Sequence, residues 1–415
     1  MTTQISENTI ELTERLQDGM HELYKHLHAN PELSMQEFAT ADFVAAKLSA
    51  LGIENFRCGG TGVVGVLENG EGPVVGFRAD MDGLPIQEDT GLQYASTAQG
   101  KLADGTVVPV MHGCGHDTHI AAALTAAELL AGSKKMWAGT VVFIFQPGEE
   151  TAAGAKAMVE DGLWDKAPKP EVIFGQHVMP YEAGSIQVTQ GAAMAMADSW
   201  KVTVYGRQAH GSQPQAAIDP IVLAAHIVVR LQTIVSREVD PMERAVITVG
   251  TIHGGLKENI IPGHCEFTIN VRTLTQAVRD EVLAAIRRII QGEAATSGAP
   301  QPSIEESYTF PLNHNDPDAT KKLVSEFESL LGREKVSEVA PSMGSEDFGE
   351  LAVAIGVPSV FWTFGGYTAD QLGKQTPLAG NHSPGFAPAM EPTLTTGVKA
   401  AMAGILSRVG AQRSE

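Results

Sequence analysis

Between about Ser6 and Ala29 the apolar residues Ile10, Leu12, Leu16, Met20, Leu23 and Leu27 recur at helical spacing, and Pro31 follows. That pattern predicts a helix ending before the proline. The stretch Ser34 to Glu37, SMQE, has the form of a capping box and predicts a second helix that stops at Gly52. The period then changes. Apolar runs at 61–68 and 73–80 read as strands, 120–132 as a helix, 140–150 as a strand ending in a turn, 154–162 as a helix and 171–178 as a strand. Continuously apolar strands alternating with helices predict an α/β fold, a mainly parallel sheet with helices on both faces. Sites in such sheets lie beyond the carboxyl ends of the strands. Polar residues stand at those places: Asp80 and Asp82, Glu149 and Glu150, and His177.

From about Gly184 the runs alternate like half-exposed strands, and a β-α-β-β-α unit is predicted over 190–305. The first texture then returns, with a helix near Asp318 to Leu331, an apolar strand at 358–365 and a final helix from about Met390 to Val409. The expected organisation is one domain from 1–189 and 306–415, interrupted by an inserted domain at 190–305. Two chain crossings would join them and form a natural hinge.

At 415 residues, 43% of them hydrophobic, the chain is long enough for two well-buried interiors. It carries 29 Lys and Arg against 49 Asp and Glu, a formal charge of -20, which disfavours nucleic acid and anionic membrane surfaces as partners. The first 17 residues are polar and acidic where a secretory signal would be basic and then apolar, and no run approaches the roughly 18 apolar residues of a spanning helix. A cytoplasmic protein is expected. Three cysteines, Cys58, Cys114 and Cys265, argue against a disulfide framework.

The densest chemistry lies in MHGCGHDTHI, Met111 to Ile120. It reads as a metal site, a redox thiol or a His-rich surface loop, and other residues must decide. Cys114 and His116 are two apart between glycines, and thiolate and imidazole are both good ligands for zinc-like ions. The adjacent carboxylates of Glu149 and Glu150 would repel each other unless a cation shares their space. His177 and, in a Gly/Pro-bounded loop, His382 add imidazoles. A redox thiol would want a resolving cysteine close by, and the other two stand at 58 and 265. His112 reads as a support of the loop, His119, three residues along the helix from His116, as a group behind the ligands, and Cys58, Cys265, His253 and His264 as structural.

The segments HANPELSMQE, FRADMDGLP, HGCGHDTHIA, QPGEE, GQHV, AHGSQP, GSEDF and GNHSP resemble, in order and spacing, the M20 metallopeptidase/amidohydrolase family, specifically its aminoacylase, hippurate-hydrolase and auxin-conjugate-hydrolase branch. The resemblance covers nearly the whole chain. It implies a binuclear exopeptidase-like catalytic domain with an inserted lid and dimerisation domain, hence a homodimer through that insertion. It implies two divalent metal ions, Zn2+ first and Mn2+, Co2+ or Ni2+ as alternatives, with Cys114 bridging and His116, Glu150, His177 and His382 completing the set. Glu149 matches the general base, His210 a histidine that approaches the scissile carbonyl, and Asn259 and Arg272 the residues that bind the substrate's carboxylate. Other branches carry His-x-Asp where this chain has Asp80-Met-Asp82; Asp82 is expected to orient a ligand from behind, and the role of Asp80 stays open. Asn270 stands where many relatives are acidic. The implied reaction is hydrolysis of N-acyl amino acids to a carboxylic acid and an amino acid. The alternatives are a dipeptidase or carboxypeptidase on short peptides and, more remotely, a non-catalytic metal or thiol sensor. Glu346 and Asp347 of GSEDF are either a helix start or supports of the pocket.

Overall fold

The structure, a computed structural model, describes residue 10 and residues 12–374 and 377–410. Helix α1, Glu14–Ala29, begins after Thr13, whose Oγ1 accepts the Leu16 N–H, and it buries Met20, Tyr24, Leu27 and His28. The expected start near Ser6 falls outside the described residues. Helix α2, Phe38–Ala50, ends ahead of Gly52, which has φ +72. Its start corrects the capping-box reading: Glu37 is the N-cap and makes no side-chain cap bond. Met35 sits in the left-handed region at φ 62, so the chain does not enter the helix extended from Ser34, and both Ser34 and Glu37 spend their side chains elsewhere.

The main sheet of the first unit is built from β1 Glu54–Cys58, β2 Gly62–Asn69, β3 Val74–Asp80, β4 Gly139–Gln146, β5 Val172–Glu182, β6 Ile186–Val188, β7 Val336–Glu338 and β8 Ser359–Tyr367. They form one mixed sheet in the order β1-β2-β4-β3-β5-β8-β6-β7. The centre is parallel, β4 with β3, β3 with β5 and β5 with β8. The β1-β2-β4 end is antiparallel; β1 and β2 are joined by only three residues and must form a hairpin. Helices cover both sides. Helix α3, His116–Gly132, is buried nearly all round, as its Ala-rich sequence allows, against β3, α1 and the C-terminal helix Met390–Val409. Phe77, Phe174 and Phe327 ring Trp362 in the core.

From β3 the chain crosses through α3 to β4 on one side, and from β4 to β5 on the other side of β3. The order reverses at β3, which opens a crevice at the carboxyl ends of β3, β4 and β5.

The second unit runs Met194–Asn313 with Pro341–Glu346. A four-stranded antiparallel sheet orders Ala245–Gly254, His264–Thr273, Met196–Tyr205 and Ser303–Phe310. Two helices, Pro220–Arg237 and Gln276–Thr296, share its core with Trp200, Phe267 and Ile286. The boundary expected at 305 falls inside Ser303–Phe310, which extends this sheet as an edge strand beside Met196–Tyr205. Pro220–Arg237 is long and apolar enough to cross a membrane by length and composition, contrary to the expectation that no run comes close. Its Leu223, Ala224, Ile227, Leu231 and Ile234 form one buried face of this unit's core, while Ile221, Val222, Val229 and Val235 are exposed.

Candidate metal centre

At the carboxyl ends of β3, β4 and β5 the ligand-type side chains converge. Gly115, at φ +81, caps the start of α3; a Cβ there would lie 2.4 Å from Val178 Cγ1, so only glycine admits this turn. The turn places Cys114 below it and His116 on the first residue of the helix. Cys114 Sγ lies 3.3 Å from His177 Nε2 and 3.3 Å from His382 Nε2. His382 Nε2 is 3.3 Å from Glu150 Oε1, and His116 Nε2 is 4.0 Å from that same oxygen. Cys114, His116 and His177 form one group with ligand atoms within 4.8 Å of one another, and Cys114, Glu150 and His382 form a second, so the thiol belongs to both. Glu149 is 6% exposed and groups with His116 and Glu150. The His382 side chain is 55% exposed and marks the open side.

The tautomers follow from the carbonyls behind each ring. His116 Nδ1 donates to the Asp82 backbone oxygen at 2.9 Å and faces Asp82 Oδ1 at 3.2 Å, which leaves the Nε2 lone pair forward. His177 Nδ1 donates to the Val178 oxygen at 2.7 Å with the same result. His116 Nε2 and Glu150 Oε1 are buried polar atoms with no hydrogen-bond partner among the described residues. Two orphaned polar atoms on converging side chains fit a divalent cation once His116 Nε2 gives up its proton. The charges agree. Burial pushes His116 down, but Asp80, Asp82 and Glu150 more than offset it and raise it to about 10, so the pocket favours positive charge at that spot. Burial and then Glu150 and Glu149 hold the Cys114 thiol well above its ordinary value, a penalty that a cation would reverse.

The role left open for Asp80 is visible. Burial would raise its pKa, but Arg78, His116 and His119 hold it well below the usual carboxylate range. Its Oδ1 accepts from His119 Nδ1, while His119 Nε2 accepts the Val178 N–H at 2.8 Å. Both His119 nitrogens are therefore used, and the ring braces β5 beside His177. Asp80 Oδ2 pairs with Arg78 at 2.5 Å and lies 3.7 Å from His116 Nε2. Asp82 lies against His116 Nδ1, and its Oδ2 also accepts the Glu150 N–H at 3.0 Å and the Ser34 hydroxyl at 2.6 Å.

Sequence reasoning missed several members. Arg78, fully buried, donates to Gln146 at 2.9 Å and to Asp347 at 3.2 Å, which gives Asp347 of GSEDF its place under the β3 and β4 ends. An arginine inside the run VVGFRAD is itself a signal, because a charge in a buried strand demands partners. Asn381 donates to the Val178 oxygen at 3.2 Å and the Cys114 oxygen at 3.3 Å, positioning the loop of His382. Glu37 is completely buried; burial and then the Asp82 charge raise it to about 7. His28 bridges Asp117 and Glu88 at 2.6 and 3.0 Å. His112 is buried with neither ring nitrogen bonded among the described residues, and burial lowers it to about 4.

The remaining sequence candidates lie in the second unit. His210, exposed, is on the short strand Ala209–His210, which pairs with Ile260–Ile261 next to Asn259. Its Nδ1 accepts from the Ser212 hydroxyl at 2.8 Å and the Ser212 N–H at 3.1 Å, so the ring proton sits on Nε2 as a donor. The exposed Asn259 accepts the Gly211 N–H on its backbone oxygen at 2.8 Å. Arg272, half-buried, donates to Asn270 Oδ1 at 3.0 Å, the Met343 oxygen at 2.9 Å and Ser345 Oγ at 3.2 Å; Nη2 has no bond among the described residues.

Residues 76–401 match the profile of peptidase family M20/M25/M40. The hippurate hydrolase of Campylobacter jejuni is 40% identical over 80% of this chain and 85% of its own. Thermostable carboxypeptidase 2 of Saccharolobus solfataricus is 35% identical over 80% of this chain and 82% of its own. The crystal structure of the Bacillus subtilis YXEP protein, described as a dinuclear metal binding peptidase from the M20 family, superposes with a TM-score of 0.73 at 30% identity, covering 95% of this chain and 99% of that one.

Proposed function

This chain belongs to peptidase family M20/M25/M40, and from that premise we propose that it is a metal-dependent amidohydrolase that cleaves N-acyl amino acids to a carboxylic acid and a free amino acid. The observation that carries the reading is the pair of ligand groups sharing Cys114, with orphaned His116 Nε2 and Glu150 Oε1 facing them and Glu149 beside them. Cys114, His116, Glu150, His177 and His382 would hold two divalent ions, Zn2+ first given the thiolate and imidazoles, with Mn2+, Co2+ or Ni2+ as alternatives. Such ions, when bound, supply Lewis acidity and make water a nucleophile near neutral pH.

The chain's own residues do the rest. Glu149 accepts a proton from the attacking water as the oxygen–carbon bond forms, and delivers it to the departing nitrogen as the carbon–nitrogen bond breaks. His210, with its proton on Nε2, is assigned as donor to the carbonyl oxygen as negative charge develops there. Arg272 and Asn259 are assigned to the substrate's free carboxylate. Relatives named for hippurate and for carboxypeptidase activity both release an amino acid from an amide, and the second keeps a carboxypeptidase as the alternative. Steady-state hydrolysis of N-benzoylglycine and N-acetyl amino acids against dipeptides, with metal content measured on the same sample, tests the choice; preference for dipeptides would reverse it.

A homodimer through the inserted unit is part of the proposal. Among the described residues Ala245–Gly254 has a sheet neighbour on one side alone, with Val246 and Ile252 exposed, and Val222 and Val229 are exposed on Pro220–Arg237. Sedimentation equilibrium tests it. The assignment to the cytoplasm is supported by three buried cysteines, all free.

A further inference from the structure

The segment Ser34 to Glu37, which does not cap its helix, bonds the catalytic turn directly through Glu37 and reaches its other side through Asp82. Gly148, Glu149 and Glu150 follow β4 in a tight turn. The Gly148 N–H donates to Glu37 Oε1 at 2.8 Å, and the Glu150 N–H donates to Asp82 Oδ2 at 3.0 Å. That Asp82 oxygen is itself held by Ser34 Oγ at 2.6 Å. The backbone is therefore fixed on both flanks of Glu149. Glu37 is kept in place by the Met35 N–H at 2.9 Å and by the Thr61 hydroxyl on its other oxygen. Between the two contacts, Met35 at φ 62 lays its sulfur where a Gly148 Cβ would sit, 2.5 Å from that position, and Gly148 has φ +54. A non-glycine residue held in the left-handed region stores strain that its surroundings must sustain, and such strain gathers at functional sites.

We propose that Ser34 and Glu37 are positioning residues, a clamp that sets the aim of Glu149 and the place of Glu150, Glu37 by accepting the Gly148 N–H and Ser34 by fixing the Asp82 oxygen that accepts the Glu150 N–H. The inference rests on the assignment of Glu149 as proton carrier and Glu150 as metal ligand. A purely structural segment would bind anywhere along the strand end; this one holds the Gly148 N–H itself and the Asp82 carboxylate that accepts the Glu150 N–H, the two groups that bracket the reactive carboxylate. Groups that orient ligands from behind are worth about 10–100-fold in affinity or rate.

The test uses the full chain with Ser34→Ala, Glu37→Ala, Glu37→Gln and the Ser34→Ala/Glu37→Ala pair. On metal-loaded protein hydrolysing N-benzoylglycine, Glu37→Ala is expected to lower kcat about 10–100-fold with KM within about threefold, since aim rather than substrate binding is lost. Glu37→Gln is expected to recover most of the rate, because its amide oxygen still accepts from Gly148 and Met35 while its NH2 group turns to Thr61. On metal-free protein titrated with Co2+ alone and followed by absorption, Ser34→Ala is expected to weaken binding about tenfold and the double variant further. If Glu37→Ala does not fold, Ser34→Ala with Co2+ decides. Unchanged kcat in folded Glu37→Ala, a Gln variant no better than Ala, or unchanged Co2+ affinity in the double variant would each overturn the clamp. If the parent hydrolyses no N-acyl amino acid, the proposed function falls while the Co2+ titration still judges the clamp.

Discussion

Replacing His28 with Gln should remove the most tightly held buried charge on α1. The His28 imidazole lies between Asp117, 2.6 Å from Nδ1, and Glu88, 3.0 Å from Nε2, with every side chain of the trio at most 1% exposed. Burial pushes its pKa down, but the bonds to Asp117 and then Glu88 more than offset this and raise it from 6.5 to about 10. A shift of that size corresponds to about 4–5 kcal/mol. Removing one member of a buried ion network typically costs about 3–5 kcal/mol, because the two carboxylates are left facing each other. A glutamine donates one of the two bonds at best, so the loss should fall at the lower end, about 3 kcal/mol, against a total of about 5–15 kcal/mol for a domain.

The sign with pH is fixed by the direction of the shift. Because the folded value lies above the unfolded one, the His28 contribution is fully present below about pH 6.5 and is lost as pH rises toward about 10. Asp117 and Glu88 are lowered, since their bonds to His28 outweigh the burial that would raise them, so their share is lost only as pH falls through their folded values. The stability gap between parent and variant should therefore be widest near pH 5–6.5 and shrink by pH 9–10. Urea unfolding followed by circular dichroism at pH 6 and at pH 9.5 measures it. A gap that stays constant across this range, or a variant as stable as the parent at pH 6, would refute the reasoning.

Glu149→Gln should lower kcat on an N-acyl amino acid by about 100–10,000-fold while the metal content, read by elemental analysis, stays at the parental level; parental turnover removes the proposed proton carrier. Removal of metal with a chelator should lower the melting temperature, because the orphaned His116 and Glu150 atoms and the Cys114 thiol lose the cation they converge on. Metal affinity should rise between pH 6 and 8, since Cys114 and His116 are both raised and must release protons to bind; calorimetry in buffers of different ionisation enthalpy reports that release. Arg78→Met should destabilise the first unit by about 3–5 kcal/mol in urea unfolding, as Asp80 and Asp347 would be buried without their common cation.

The strands, their order of chemistry and the ligand-type residues were legible because each announces itself locally. Apolar runs mark buried parallel strands, and polar residues stand directly after them. What was illegible depends on contacts far apart in sequence. SMQE matches a capping pattern locally, yet its Ser and Glu bond to Asp82 and Gly148, and only the fold brings those close. Asp80 was open because its partners are Arg78, within its own strand, and His119, on a helix across the crossover. The inserted unit extends past the expected 305 through Ser303–Phe310, whose mostly exposed residues and little hydrophobic alternation give its pairing with Met196–Tyr205 a weak imprint on the sequence. His210, Asn259 and Arg272 were reached through resemblance, since an exposed histidine or half-buried arginine on a strand has no local pattern that sets it apart.

In the proposed centre Cys114 is common to both ligand groups, which gives its two halves one point of failure. Alkylation or oxidation of that single sulfur would strip a ligand from each half at once, whereas damage to His177 or His382 would cripple one half and spare the other. Loss of function under oxidative or electrophilic attack should thus come as an all-or-nothing event for each molecule, with no half-loaded survivors still at work.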